Sequence, residues 1–257
     1  MATFDIEISE VGPRDGLQSI STIMPTADKL AWIDALAAAG VPEIEVGSFV
    51  PAKVLPQLAD TAEVAKYARE IAGLSVAVLV PNFRGAQNAI EVRPTKMSIP
   101  LSVSETHSLR NVKRNHQQLL EEVQRIADLV KSLPIDQRPK FEGGLSTAFG
   151  CTIEGVVSED TTGYANPAQA KRLVKKVWAA VGKENLTGIH LHNTRGQGLA
   201  NALAAVEVGI TTVDSSMGGI GGCPAAPGAS GNIVTEDLVF MLEAMGLKTG
   251  IDFDALF

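Results

Sequence analysis

Four histidines serve the whole 257-residue chain, and two of them stand two positions apart in "GIHLHNTRGQG" (188–198). An apolar run precedes them and glycines follow, the pattern of a strand that stops. In an extended strand, side chains at i and i+2 lie on one face, about 7 Å apart along the chain. His190 and His192 therefore share a face while Leu191 turns into apolar packing. Two imidazoles side by side at a strand end can grip one metal ion. "EVGPRDGLQ" (10–18) offers a third ligand, with Arg14 and Asp15 next to Gly16 at the end of the first strand-like run. Two imidazoles and a carboxylate with open positions suit an octahedral divalent ion that also takes water and substrate oxygens. Magnesium or manganese is expected; zinc would more often recruit a thiolate. The competing reading of Asp15 is a turn residue, since Arg-Asp-Gly is a common turn.

"GGIGGCPAAPGASGN" (218–232) holds six glycines, two prolines and one cysteine. It is too long and too poor in apolar residues for an ordinary connection. It reads as a glycine-hinged lid that brings Cys223 over the site and closes with substrate. A thiol near a dication and histidine can exchange protons near neutral pH. Cys151 follows an apolar strand and reads as an inert structural cysteine. "HSLRNVKRN" (107–115) puts Arg110, Lys113 and Arg114 on one face at a helix start, where basic residues oppose the helix dipole. A phosphate bound at that end would offset the cost; a solvated helix face is the alternative. His107 and His116 read as surface residues.

These groups need a scaffold. Short β-rich runs alternate with amphipathic helical runs: strands at 4–11, 43–49, 75–81, 95–103, 140–149, 186–193 and 211–217. Helices are predicted over 26–40, 61–73, 111–133, 166–182, 198–209 and 235–246, with a weaker turn at 83–92. Thr26 is the expected N-cap of the first, and Gly40 its stop. Strict alternation without a break in composition predicts a parallel sheet in one domain spanning 1–257. The G-x-G-x-x-G and P-loop fingerprints are absent, which argues against an open nucleotide-binding sheet. Polar residues sit instead at C-terminal strand ends: Arg14, Asp15, Glu45, Ser102, Ser104, His190, His192 and Asp214. That rim is where (β/α) barrels build their sites.

Composition narrows the partners. A net charge of −7 argues against nucleic acid. The longest apolar stretch, 74–81, is far too short to span a bilayer. Two cysteines fit a reducing cytosol and not a disulfide scaffold, and "MATFDIEISEVG" reads as a strand and not a signal peptide. A cytoplasmic protein is expected.

Together, "EVGPRDGLQ", "IEVGSFV", "HLHNTRGQGLAN" and "DSSMGGIGGCPAAPGASGN" resemble the 3-hydroxy-3-methylglutaryl-CoA lyases, over nearly the whole chain. Leu17 is informative within the wider superfamily. The condensing enzymes, such as isopropylmalate synthases, usually read R-D-G-E-Q where this chain has R-D-G-L-Q. The resemblance implies a (β/α)8 TIM barrel that splits a branched 3-hydroxyacyl-CoA carboxylate in a retro-Claisen step. By motif match, Asp15, His190, His192 and Asn232 would hold the divalent cation. Arg14 would stabilise the enolate oxygen, Cys223 would move a proton at the reacting carbons, and Glu45 would support Arg14. Arg110, Lys113 and Arg114 would meet the CoA phosphates, and a homodimer is among the assemblies open to the chain. Relatives that cleave citramalyl-CoA or longer branched acyl-CoAs share the same metal site.

The chain also departs from the pattern. Asn193 and Arg195 stand where the lyases usually read "HxHDT" and a tyrosine-like residue, and Asn193 is the residue of the condensing branch. Around 155–165 a helix–strand unit is missing, so seven strands are expected and not eight. Either the barrel lacks that unit or the segment was lost from the sequence. A gap in a barrel wall leaves backbone groups unpaired.

Overall fold

The computed structural model describes residues 4–149, 165–222 and 230–257. Its strands are β1 (Glu7–Glu10), β2 (Glu43–Ser48), β3 (Ser75–Leu79), β4 (Lys96–Ser102), β5 (Lys140–Ser146), β6 (Gly188–His190) and β7 (Thr212–Ser215). All pair in parallel in the order β5-β4-β3-β2-β1-β7-β6. The first strand lies against the last, as barrel closure demands, and an open doubly wound sheet would not place them so. Among the described residues the ring is interrupted once, between β5 and β6. That interruption falls where the sequence predicts a missing helix–strand unit. The fold is a TIM barrel of the (β/α)8 type, with seven strands among the described residues.

The helices are α1 (Thr26–Ala38), α2 (Thr61–Ala68), α3 (Phe83–Ile90), α4 (Glu105–Asn111), α5 (His116–Ser132), α6 (Pro167–Val181), α7 (Gly198–Val208) and α8 (Thr235–Ala244). All but α4 pack an apolar face on the sheet's outer side. Ile8, Ile44, Val76, Val78, Met97 and Val213 from the strands meet Ile33, Leu36, Val64, Ala86, Leu238 and Leu242 from the helices in one cluster. At about 25 cal/mol per Å² of apolar surface, this layer carries most of the stabilisation. Alternate strand residues point into the lumen, and those of β1, β2 and β4 put Ser9, Glu43, Glu45, Lys96 and Ser98 there. Glu43 there accepts from Ser9 Oγ at 2.9 Å and Ser75 Oγ at 3.0 Å, and pairs with Lys96. Burying a charge unpaired would cost several kcal/mol, so the lumen charges come with partners. Among the described residues, no helix is long and apolar enough to cross a membrane.

Three local expectations change. The helix over 111–133 is two helices, because Asn115 caps α5 through a capping box with Gln118 and Lys113 takes φ +58 between them. Thr26 is the first residue inside α1 and not its cap; Pro25 precedes it, and the Thr26 hydroxyl donates to Asp60 Oδ2 at 2.8 Å. His107 is buried and not on the surface, because α4 folds back on the end of β4 and sets its Nδ1 2.7 Å from Ser102 Oγ.

Candidate metal centre at the barrel mouth

After β1 the chain makes one tight helical turn, Gly12–Gly16, whose amides at Arg14, Asp15 and Gly16 all return to the Val11 carbonyl. The turn aims Asp15 into the barrel. Its foundation is Glu10, fully buried, which accepts the Gly12 amide at 2.8 Å, the Met217 amide at 3.0 Å and the Thr235 hydroxyl at 2.6 Å. One carboxylate thus ties the Asp15 turn to the loop after β7 and to the start of α8. Burial pushes the Glu10 pKa up to about 7 against those hydrogen bonds.

Asp15, His190 and His192 each offer a ligand atom, all within 4.8 Å of one another. Each Nδ1 is already engaged: His190 with Asp214 Oδ2 at 3.1 Å, His192 with the Ser230 carbonyl at 3.1 Å. With each Nδ1 donating, the two Nε2 atoms face each other at 3.3 Å. Asp15 Oδ1 accepts from Arg14 at 2.6 Å and Gln18 at 2.7 Å, and Oδ2 accepts from Asn232 Nδ2 at 2.7 Å. Asn232 also donates to the Ile220 carbonyl, while its Oδ1 is buried with no hydrogen-bond partner among the described residues. A buried carbonyl oxygen without a donor costs about 1–3 kcal/mol, and it lies on a residue bonded to Asp15. Three nitrogen and oxygen donors plus this orphaned oxygen form a set that a hard divalent ion satisfies. The residues fit a metal.

Electrostatics agree. Burial alone would raise the Asp15 pKa, but Arg14, His190 and the Asn232 bond outweigh it and hold it below the ordinary carboxylate range. Burial disfavours charge on both imidazoles. On His190 the Asp214 hydrogen bond and charge win and raise the pKa; on His192 burial and the neighbouring His190 lower it. The two rings thus differ in proton affinity, and a cation held between their Nε2 atoms competes with protons for those nitrogens.

Arg14 bonds Glu45 through Nε and Asp15 through NH1. Glu45 is fixed from the other side by Ser98 Oγ at 2.7 Å. The glycine-rich segment closes onto this group from both stems. Asn193 N donates to the Gly231 carbonyl at 2.9 Å, and His192 bridges Asn232. At Gly221 (φ +130) a Cβ would collide with Asn232 and Asp15, and at Gly231 it would overlap the Gly219 carbonyl. Only glycine lets these stems approach.

Cys223 and Cys151 lie outside the described residues, as do the middle of the 218–232 loop and most of 155–165. Asn193 does not face the metal site: its Oδ1 accepts the Gly198 amide at 3.1 Å, at the start of α7. Arg110, Lys113 and Arg114 do not share a helix face. Arg110 ends α4, while Lys113 and Arg114 sit in the α4–α5 link and line a polar cleft of about 440 Å³ with Arg125. Glu122 holds both Arg114 (3.3 Å) and Arg125 (2.9 Å) there. Sequence reasoning placed Asp214 at a strand end without a role, and it missed Gln18, Ser98 and Ser230. Only the His190–Asp214 register across β6 and β7 reveals the first, and no sequence pattern encodes that register.

A family model described as HMGL-like matches residues 5–257. The chain is 39% identical to hydroxymethylglutaryl-CoA lyase YngG of Bacillus subtilis, covering 98% of this chain and 89% of that one. It is 37% identical to the mitochondrial hydroxymethylglutaryl-CoA lyase of Gallus gallus, covering 98% and 90%. The YngG alignment spans 272 positions, more than this whole chain has, so that relative carries residues inside the matched stretch that are missing here. A solved HMG-CoA lyase from Acinetobacter baumannii, in complex with coenzyme A and 3-methylmalate, superposes with a TM-score of 0.90 at 40% identity. It covers 100% of this chain and 90% of that one. By motif, by sequence and by fold, the chain belongs to the HMGL-like family.

Proposed function

We propose that the protein cleaves 3-hydroxy-3-methylglutaryl-CoA to acetyl-CoA and acetoacetate at a divalent-cation site held by Asp15, His190, His192 and Asn232. The observation that carries this reading is the donor set itself: two Nε2 atoms turned to one point, the Asp15 carboxylate beside them, and Asn232 Oδ1 buried with no donor. Bound there, Mg²⁺ or Mn²⁺ supplies Lewis acidity that lowers the pKa of a chelated 3-hydroxyl.

The chain's own groups do the rest. Loss of the hydroxyl proton makes C3 a ketone as the C2–C3 bond breaks, and the electron pair passes to C2 and the thioester oxygen as an enolate. Arg14 stabilises that oxygen. Its Nε and NH1 are taken by Glu45 and Asp15, and among the described residues its NH2 has no hydrogen-bond partner. Glu45, clamped by Ser98, fixes the guanidinium plane. By motif match, Cys223 would return a proton to C2, giving acetyl-CoA. Lys113 and Arg114, with Arg110 nearby, offer charge to the CoA phosphates. One domain over 1–257 and a cytoplasmic setting belong to this reading, the first supported by βα alternation without a break in composition and the second by the low cysteine count.

The test gives purified protein 3-hydroxy-3-methylglutaryl-CoA, citramalyl-CoA, or acetyl-CoA plus 2-oxo acids, with Mg²⁺ or with chelator. Acetoacetate formed from the first, abolished by chelation and by Cys223→Ala, is the expected result. Condensation with release of free CoA, or silence with every substrate despite a bound cation, would sink it.

A further inference from the structure

We infer that Asp214 is the positioning residue of the metal centre, the carboxylate that fixes His190 with Nδ1–H turned inward to the sheet and Nε2 presented to the cation. The inference rests on the proposed cation site and deepens it.

The contact is set by backbone. His190 and Asp214 are directly opposed partners in the parallel β6–β7 ladder, so both side chains leave the same face at the same level. Asp214 Oδ2 then falls 3.1 Å from His190 Nδ1 with only two side-chain torsions to fix. Its strand is held on the other side too, where Asp214 is the ladder partner of Ser9 in β1. His192 is anchored by different means, a carbonyl at Ser230 in the stem of the glycine-rich segment. One ligand is therefore oriented by the sheet and the other by the loop.

Asn193 is the alternative position for an orienting group, since it adjoins His192. Its side chain is committed to the first amide of α7. Among the described residues, Asp214 is the one carboxylate bonded to a ligand imidazole. A carboxylate on the far nitrogen raises ligand basicity and locks the ring, and removing such a partner typically costs about 10–100-fold in metal affinity.

The experiment measures Mn²⁺ binding by calorimetry for wild type, Asp214→Ala, Asp214→Asn and His190→Ala, with thermal unfolding of each metal-free protein and ¹⁵N spectra of the His190 ring. Expected are one Mn²⁺ site in wild type, none in His190→Ala, and affinity about 10–100-fold weaker in Asp214→Ala at similar thermal stability. Asp214→Asn, which keeps an acceptor without the charge, falls between them. Saturating Mn²⁺ restores kcat in Asp214→Ala, a rescue that a purely structural defect would not show. The spectra show Nδ1–H in wild type and a tautomer mixture in Asp214→Ala. Mn²⁺ bound by Asp214→Ala as tightly as by wild type, with His190→Ala inactive in binding, overturns the role of Asp214 and leaves the metal site standing. No Mn²⁺ bound by wild type overturns both. If Asp214→Ala does not fold, an Asp214→Asn protein with wild-type affinity and wild-type tautomer overturns the inference by itself.

Discussion

β2 and β5 are parallel strands of similar length in one sheet, yet every residue of β2 is buried and most of β5 is exposed. Their neighbours differ. β2 lies between β1 and β3 with α2 at its back, whereas β5 pairs among the described residues with β4 alone. β6 is likewise an edge of the described sheet, but its end is sewn to the chain after the glycine-rich segment by Asn193 N to Gly231 O, Ile233 N to Leu191 O and the His192–Asn232 bridge. The chemistry follows that division. Arg14, Asp15, Glu45, His190, His192 and Asn232 all belong to the sector from β2 through β1 and β7 to β6. Ligand geometry demands rigid backing, and β6, although it borders the interruption, receives that backing from β7 and from these contacts.

The sharpest way to break this contrast is to remove a ligand from the well-supported sector. His190→Ala should lower kcat for cleavage on the order of 10³-fold, with the metal-free protein still folded, since a cation's transition-state contribution is several kcal/mol. Steady-state kinetics with acetoacetate detection reads the effect, and a variant retaining a tenth of wild-type kcat contradicts the assignment. Next in size is the packing contrast. Ile44→Ala, at 0% exposure in β2, should cost about 2–5 kcal/mol in urea unfolding. Leu145→Ala in β5, at 46% exposure, should cost about 0.5 kcal/mol or less. Equal losses would mean that β5 is covered as fully as β2.

Glu10 sharpens the comparison through pH. Its folded pKa of about 7 lies above the ordinary 4.5, so between those values the folded state holds a proton that the unfolded chain has lost. Stability therefore falls as pH rises from about 4.5 to about 7 and then levels, by at most about 3 kcal/mol. Glu10→Gln mimics the protonated form and keeps an acceptor for the Gly12 and Met217 amides. Its unfolding free energy should lack that slope in urea titrations across the range. The same slope in wild type and variant would place its origin elsewhere.

Much of this architecture was legible in the residues. All seven strands were, because strands buried on both faces of a parallel sheet write runs such as "SVAVL" into the chain. The motifs pick out Asp15, His190, His192 and Asn232 as candidate ligands, and the structure brings their side chains together. What was not legible is tertiary. Helix formers run unbroken from Asn111 into α5, so the break at Asn115 depends on a cap whose N-x-x-Q signal is short. His107 is buried by a contact with Ser102 that only the return of α4 creates. Asn193 looked like a lost carboxylate, whereas its side chain serves a helix and a strand neighbour, Asp214, supplies the carboxylate instead.

The smallest effect is the most discriminating for that last point. Asn193→Asp keeps an oxygen for the Gly198 amide and adds a negative charge at the start of α7, where the helix dipole favours it. The thermal midpoint should therefore stay level or rise, with about 0.3–1 kcal/mol of stabilisation. Mn²⁺ affinity should not move, because the side chain is committed to the Gly198 amide and both ring Nδ1 atoms are already held, His190 by Asp214 and His192 by the Ser230 carbonyl. Asn193→Ala should instead lose about 1 kcal/mol through the missing cap, again with affinity unchanged. A tenfold gain in Mn²⁺ affinity for Asn193→Asp would show that this position does reach the metal centre, and the orienting carboxylate would then have two addresses where the strand register allows one.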